Sequence, residues 1–146
     1  MKSKVLFPGS FDPFTLGHAD IVKRALKMFD EVVIAVGYNE QKAGWMSVEE
    51  RVASIKRIYA DEPRIKVESY TGLTVDFAKE HGIAAIVRGI RSTADFEYEL
   101  QMADVNRQLT GIETVLLPAS PQFASLSSSI VRELAHFGRD ISAFLP

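Results

Sequence analysis

The 146-residue chain contains no cysteine, which excludes disulfides, thiolate metal sites and cysteine nucleophiles. It also lacks an excess of charge of one sign. Its 17 Lys and Arg face 19 Asp and Glu for a formal net charge of -2. No overall basic field is offered to a phosphate backbone, so nucleic acid is not an expected partner and any anion site must be built locally. No apolar run approaches the length of a membrane span, and the opening MKSKVLFPGS is too short in apolar residues for a signal peptide. A cytoplasmic protein without membrane attachment is therefore expected. Two phosphate-binding signatures are missing as well. There is no G-x-x-x-x-G-K-[ST], which excludes a P-loop, and no G-x-G-x-x-G follows the first strand, which leaves a dinucleotide redox fold without its fingerprint. Repeats, low-complexity tracts and linkers are absent too.

What is present is ordinary for a globular protein: 47% apolar and 25% charged residues. One domain spanning residues 1–146 is expected, long enough to bury a core without disulfides or a structural metal. Short β-rich runs at Val5 to Phe7, Val32 to Val36, Ile65 to Ser69, Ala84 to Val87 and Thr114 to Leu117 alternate with stretches of helical period. That alternation predicts an α/β, Rossmann-like fold: an open parallel five-stranded sheet with helices on both faces.

The first helix is predicted from Gly17 to Phe29, with Ile21, Val22, Ala25, Leu26 and Phe29 inward. Ser47-Val48-Glu49-Glu50 reads as a capping box opening a second helix. A third covers Thr74 to Glu80. A fourth follows Ser92, with Phe96, Leu100, Ala103 and Leu109 near helical spacing, and a fifth follows Ser127-Ser128-Ser129, buries Ile130, Leu134 and Phe137, and ends at Gly138.

Ligands of open α/β sheets bind beyond the carboxyl ends of the strands, where strand order reverses. Three post-strand loops are unusual: Pro8 to His18, Arg88 to Ser92, and Ser120 to Ser129. With strand order 3-2-1-4-5 they surround one crevice. Glycine and small hydroxyl residues let backbone N–H groups approach phosphate oxygens, helix starts at Gly17-His18 and Ser127 to Ser129 add positive dipole ends, and Arg88 and Arg91 add cations. The crevice therefore suits a polyphosphate.

Thr15-Leu16-Gly17-His18 resembles the [HT]-x-G-H motif of the nucleotidyltransferase superfamily. Joined to Pro8-Gly9-Ser10-Phe11-Asp12-Pro13, Arg88-Gly89-Ile90-Arg91, Glu49-Glu50-Arg51, Asp95 to Glu99 and Ser127 to Arg132, the likeness covers essentially the whole chain. The chain resembles the bacterial phosphopantetheine adenylyltransferases, which make dephospho-coenzyme A and pyrophosphate from ATP and 4'-phosphopantetheine. Ser10 stands where the family often has threonine, and the chain ends at Phe144-Leu145-Pro146 where family members usually continue into a terminal helix.

The resemblance implies catalytic roles for His18, Lys42 and Arg88. It implies ATP contacts from Ser10, Phe11, His18, Gly89, Ile90, Arg91, Glu99, Phe123, Ala124, Ser125, Leu126, Ser127, Ser128 and Ser129. Ser10, Lys42, Thr74 and Arg88 are implied for 4'-phosphopantetheine. Mg²⁺ is expected to arrive with ATP, with no protein metal cage. Coenzyme A as feedback inhibitor and a homohexamer are implied too. The attacking phosphate is already an anion, so the reaction needs alignment and charge stabilisation rather than a protein nucleophile. A histidine at a helix N-terminus is disfavoured as a cation and suits a neutral N–H donor to a phosphoryl oxygen.

Without the resemblance, Lys42 reads as a solvated loop lysine, Ser127 to Ser129 as a helix cap, and Trp45 as either a lid or a packing residue. Adenylyl or cytidylyl transfer to nicotinamide mononucleotide or glycerol 3-phosphate, and a nucleotide-binding regulatory module without catalysis, are the competing readings.

Overall fold

The computed structural model of the protein describes residues 2–146. Five strands, β1 (Lys4–Gly9), β2 (Glu31–Gly37), β3 (Ile65–Tyr70), β4 (Ala85–Ile90) and β5 (Glu113–Pro118), form one sheet in the order β3-β2-β1-β4-β5. Every pairing is parallel, as the alternation of strand and helix predicts. The helices are α1 (Leu16–Ala25), α2 (Val48–Ile58), α3 (Thr74–Glu80), α4 (Thr93–Thr110) and α5 (Ser128–His136).

The strands are apolar at successive positions because both faces of the sheet are covered. Val5, Phe7, Val32, Ile34, Val36 and Val87 pack with Ile21, Val22 and Ala25 of α1 and Ile55 of α2. Their neighbours Leu6, Val33, Ala35 and Ile86 turn to the other face, where Val75, Phe77 and Ala78 of α3 meet them. The helices thus lie on both faces, and the strand period of two divides the core into two halves.

Four expectations shift. The first helix stops at Ala25 rather than Phe29, because the next turn tightens into Lys27 N–H to Arg24 O and Met28 N–H to Ala25 O bonds. β4 continues through Arg88, Gly89 and Ile90, which pair with Leu116, Leu117 and Pro118. They are strand residues, not the start of a loop. On its other side β4 pairs with β1 only at Val5–Ala85 and Leu6–Ile86. Beyond Leu6 the two central strands part, and the crevice opens between them.

The helical spacing of α4 also carries a different meaning. Phe96, Leu100 and Leu109 are 44%, 53% and 61% exposed, and the residue that α4 buries is Glu99. In α5 the inward residue is Val131. Ile130, one position away and about 100° around the helix, is exposed, as is Phe137 beyond the helix end.

Candidate active site

The crevice is organised by the turn that follows β1. Phe11 has φ +48°, in the left-handed region that non-glycine residues rarely adopt, and its ring folds back over Gly9. A Cβ on Gly9 would lie 2.9 Å from that ring, so glycine at this position permits the close approach. Buried Phe11 then makes an edge contact with Phe7 and packs beside Phe14.

His18 stands among these three rings, its centroid 5.0 Å from that of Phe11, 5.3 Å from Phe14 and 6.1 Å from Phe7. Its orientation is set by the start of α1. Thr15 is the N-cap: its hydroxyl accepts the His18 backbone N–H, and its own N–H donates to His18 Nδ1 at 2.9 Å. This is a capping box with histidine in the place usually held by Glu or Gln. Burial, reinforced by the charges of Arg91 and Arg88, pushes the His18 pKa down to about 3. The ring is neutral at physiological pH. Since Nδ1 accepts from Thr15, the single ring proton sits on Nε2. The expectation of a neutral N–H donor therefore stands on burial and two arginines rather than on the helix dipole.

Arg88 points from β4 across the parting of the strands. Its Nε donates to Glu99 Oε2 at 2.5 Å and its Nη1 to the Pro8 carbonyl at 2.8 Å. Glu99 is buried, so this pair fixes the guanidinium, and no partner among the described residues takes Nη2.

Two cavities meet at this arginine. The first, about 290 Å³, is lined by Gly9, Ser10, Phe11, His18, Arg88, Gly89, Arg91, Phe123, Leu126 and Ser127 to Ser129, together with Asp20, Ser120 and Arg132. The second, about 460 Å³, lies toward α3 and α4 and is lined by Tyr70, Leu73, Thr74, Glu99, Met102 and Leu109, among others. Pro8, Gly9, Ser10 and Arg88 line both.

The final loop closes the first cavity. Ser127 caps α5 by accepting the Ile130 N–H, Ser128 Oγ donates to the Pro13 carbonyl at 2.8 Å, and Arg132 donates to the Asp12 carbonyl and to Ser129 Oγ. Arg91 reaches across to the Leu126 carbonyl while Asp95 holds its Nε.

A cytidylyltransferase-like family profile matches residues 6–134. The chain is 57% identical over 145 residues to a phosphopantetheine adenylyltransferase of Porphyromonas gingivalis, covering 99% of this chain and 95% of the relative. It is 54% identical over 143 residues to that of Phocaeicola vulgatus, with 98% and 95% covered. The chain belongs to the phosphopantetheine adenylyltransferase family. A Streptomyces coelicolor phosphopantetheine adenylyltransferase is 47% identical over 143 residues, 98% of this chain and 90% of that one. Among solved structures, a bifunctional NMN adenylyltransferase/ADP ribose pyrophosphatase from Francisella tularensis superposes with TM-score 0.74 at 15% identity, over 99% of this chain and 45% of that chain. At that identity the likeness is one of fold.

Of the residues to which the family resemblance gives roles, Ser10, Phe11, His18, Arg88, Gly89, Arg91, Phe123, Leu126 and the three serines line the first cavity, and Thr74 lines the second. Others stand apart. Ile90 lines neither cavity; its carbonyl accepts the Ala119 N–H at 2.7 Å. Ala124 and Ser125 are exposed and outside both linings. Glu99 lines the second cavity, bound to Arg88. Lys42 is exposed on the 38–47 loop and lines neither.

Asp20 carries no motif signal and Ser120 only opens the final unusual loop, yet they meet in the first cavity through a 2.7 Å Ser120 Oγ to Asp20 Oδ2 bond. The two are 100 residues apart in sequence, so no local pattern could pair them.

Proposed function

We propose that this chain transfers the adenylyl group of ATP to 4'-phosphopantetheine, forming dephospho-coenzyme A and releasing pyrophosphate. The observation that carries the reading is the shared wall of Ser10 and Arg88 between two cavities. A reaction that joins two phosphates needs its donor and acceptor to meet across one cationic, hydroxyl-bearing edge. ATP occupies the first cavity, with its phosphates toward His18, Arg91 and the serines that open α5. The pantetheine arm occupies the second, beside Thr74 and the apolar residues of α4.

An oxygen of the acceptor phosphate attacks the α-phosphorus, and the bond from that phosphorus to the bridging oxygen of pyrophosphate breaks. No proton must be removed from the attacker. His18 Nε2–H donates to a non-bridging oxygen of the α-phosphate as charge develops there. The free Nη2 of Arg88 lowers the repulsion between the two anions, and Glu99 holds that guanidinium still. Lys42 completes the acceptor-phosphate site when its loop lies over bound substrate.

Among the described residues no group of three or more His, Asp or Glu converges to hold a metal. The first cavity offers serine hydroxyls and one carboxylate, Asp20, whose Oδ2 already serves Ser120 and Arg24. That donor set fits Mg²⁺ carried on ATP, with phosphate oxygens and water as its main ligands. Bound there, it would supply neutralisation of negative charge on the phosphates.

The family resemblance extends the reading to a homohexamer, to cytoplasmic coenzyme A synthesis and to coenzyme A as feedback inhibitor. Phe96 and Leu100 of α4, 44% and 53% exposed and outside the linings of both cavities, are apolar side chains that such an assembly would cover. Light scattering of the purified protein would read the subunit number directly. Among the described residues no helix is long and apolar enough to cross a membrane.

The test of the activity is product formation. Mg-ATP and 4'-phosphopantetheine should yield dephospho-coenzyme A and pyrophosphate one for one; ATP binding with neither product would establish the regulatory module instead.

A further inference from the structure

The mechanism leaves one buried ionic pair unused. Asp12 and Arg51 are 6% exposed each, and Arg51 Nε lies 3.6 Å from Asp12 Oδ1. Two charges taken out of water are costly unless their remaining hydrogen-bonding groups are also satisfied. Here those groups are satisfied by backbone from two separate segments. Asp12 accepts the N–H groups of Trp45 and Met46, both at 2.8 Å, while Arg51 donates to the carbonyls of Met46 at 2.9 Å and Ser10 at 3.2 Å.

The pair therefore ties the far end of the 38–47 loop to the turn that presents Ser10 and Phe11. Lys42 sits on this loop, between the Asn39 turn, whose carbonyl accepts the Lys42 N–H, and the tied residues Trp45 and Met46. Gly44 shows how close the fit is. A Cβ there would collide with Arg51 Nη2 and stand 2.7 Å from Asp12 Oδ2.

We infer that Asp12 and Arg51 form a positioning latch that fastens the 38–47 loop to the Ser10–Phe11 turn, and that this latch sets the reach of Lys42 toward the acceptor phosphate. The inference rests on the reading of Lys42 as an acceptor contact. Neither latch residue meets substrate; they act through Lys42 and Ser10.

Gly44→Ala tests it by crowding the pair from the loop side while leaving both Asp12 and Arg51 in place. Gly44 is exposed and does not have positive φ, so alanine is tolerated there except where its Cβ meets the latch. The variant should raise the KM for 4'-phosphopantetheine by about 10- to 100-fold, the scale of a small misplacement of a positioning group, while leaving the KM for ATP within about twofold. In a Lys42→Ala background, Gly44→Ala should add almost nothing, because the effect runs through Lys42.

Trp45, the only tryptophan in the chain, supplies a readout independent of catalysis. Loosening the latch should make its fluorescence more accessible to acrylamide. Unchanged quenching and unchanged acceptor KM would overturn the proposal, as would equal effects on both substrates or full additivity with Lys42→Ala. If the unmodified protein made no dephospho-coenzyme A, the functional reading would fall instead, and Trp45 quenching in Gly44→Ala would still decide whether the pair fastens the loop.

Discussion

A histidine held neutral by burial links stability to pH in a calculable way. An ordinary histidine titrates near 6.5, whereas His18 in the folded protein titrates near 3. Between those values the unfolded chain binds a proton that the folded chain does not. Stability must then rise with pH through this window, being complete above about pH 6.5 and progressively lost below it. At about pH 5 the displacement from the unfolded value is about 1.5 units, and at about 1.36 kcal/mol per unit the loss is about 2 kcal/mol. The result needs only that the folded pKa lie well below 5.

His18→Asn isolates the contribution. The asparagine Oδ1 can replace Nδ1 as acceptor for the Thr15 N–H, preserving the cap while removing the titrating ring. Urea unfolding followed by circular dichroism, from about pH 8 to pH 5 at one protein concentration, should show the wild type losing about 2 kcal/mol more than His18→Asn. Parallel pH dependences, or an NMR titration of His18 centred near 6.5, would refute the argument that the ring is buried as a neutral donor.

Three further outcomes are expected. His18→Asn should lower kcat by about 10²- to 10³-fold with modest change in ATP affinity, because Nε2–H serves developing charge; near-normal turnover would remove it from the mechanism. Arg88→Ala should destabilise the protein by about 3 kcal/mol by leaving Glu99 buried without its partner, and Arg88→Ala combined with Glu99→Gln should recover stability in denaturant titrations but not turnover. Recovered turnover would contradict the role given to Nη2. Arg91→Ala should raise the KM for ATP more than that for 4'-phosphopantetheine, a difference that initial-rate kinetics would show or deny.

The order of the sheet was legible because apolar β-rich runs alternate with helical periods, and that pattern admits few topologies. Thr15-Leu16-Gly17-His18 likewise announced a helix start, and that start lies at the crevice. What spacing could not show was the cause of His18's neutrality, since Phe7, Phe11 and Phe14 become a cage only after the turn folds back. The extent of β4 was hidden for a related reason. Arg88-Gly89-Ile90 has loop-like composition, but parallel pairing with Leu116 to Pro118 carries the strand through it.

The apolar period of α4 was visible, yet periodicity gives no sign of what an apolar residue faces: Phe96 and Leu100 face outward, and Leu109 lines the second cavity. Asp12 stands in a turn-rich stretch, Pro8 to Pro13, where aspartate is an ordinary turn former. Its pairing with Arg51, 39 positions later, depends on a tertiary contact that local pattern does not encode.

The central claim is that the two cavities meeting at Ser10 and Arg88 join ATP to 4'-phosphopantetheine in particular. The most direct test is kcat/KM for pyrophosphate release from Mg-ATP with 4'-phosphopantetheine, beside nicotinamide mononucleotide and glycerol 3-phosphate under the same conditions. The account predicts turnover with 4'-phosphopantetheine and background rates with the other two. Preference for either of the others, or release with none despite ATP binding, would contradict it.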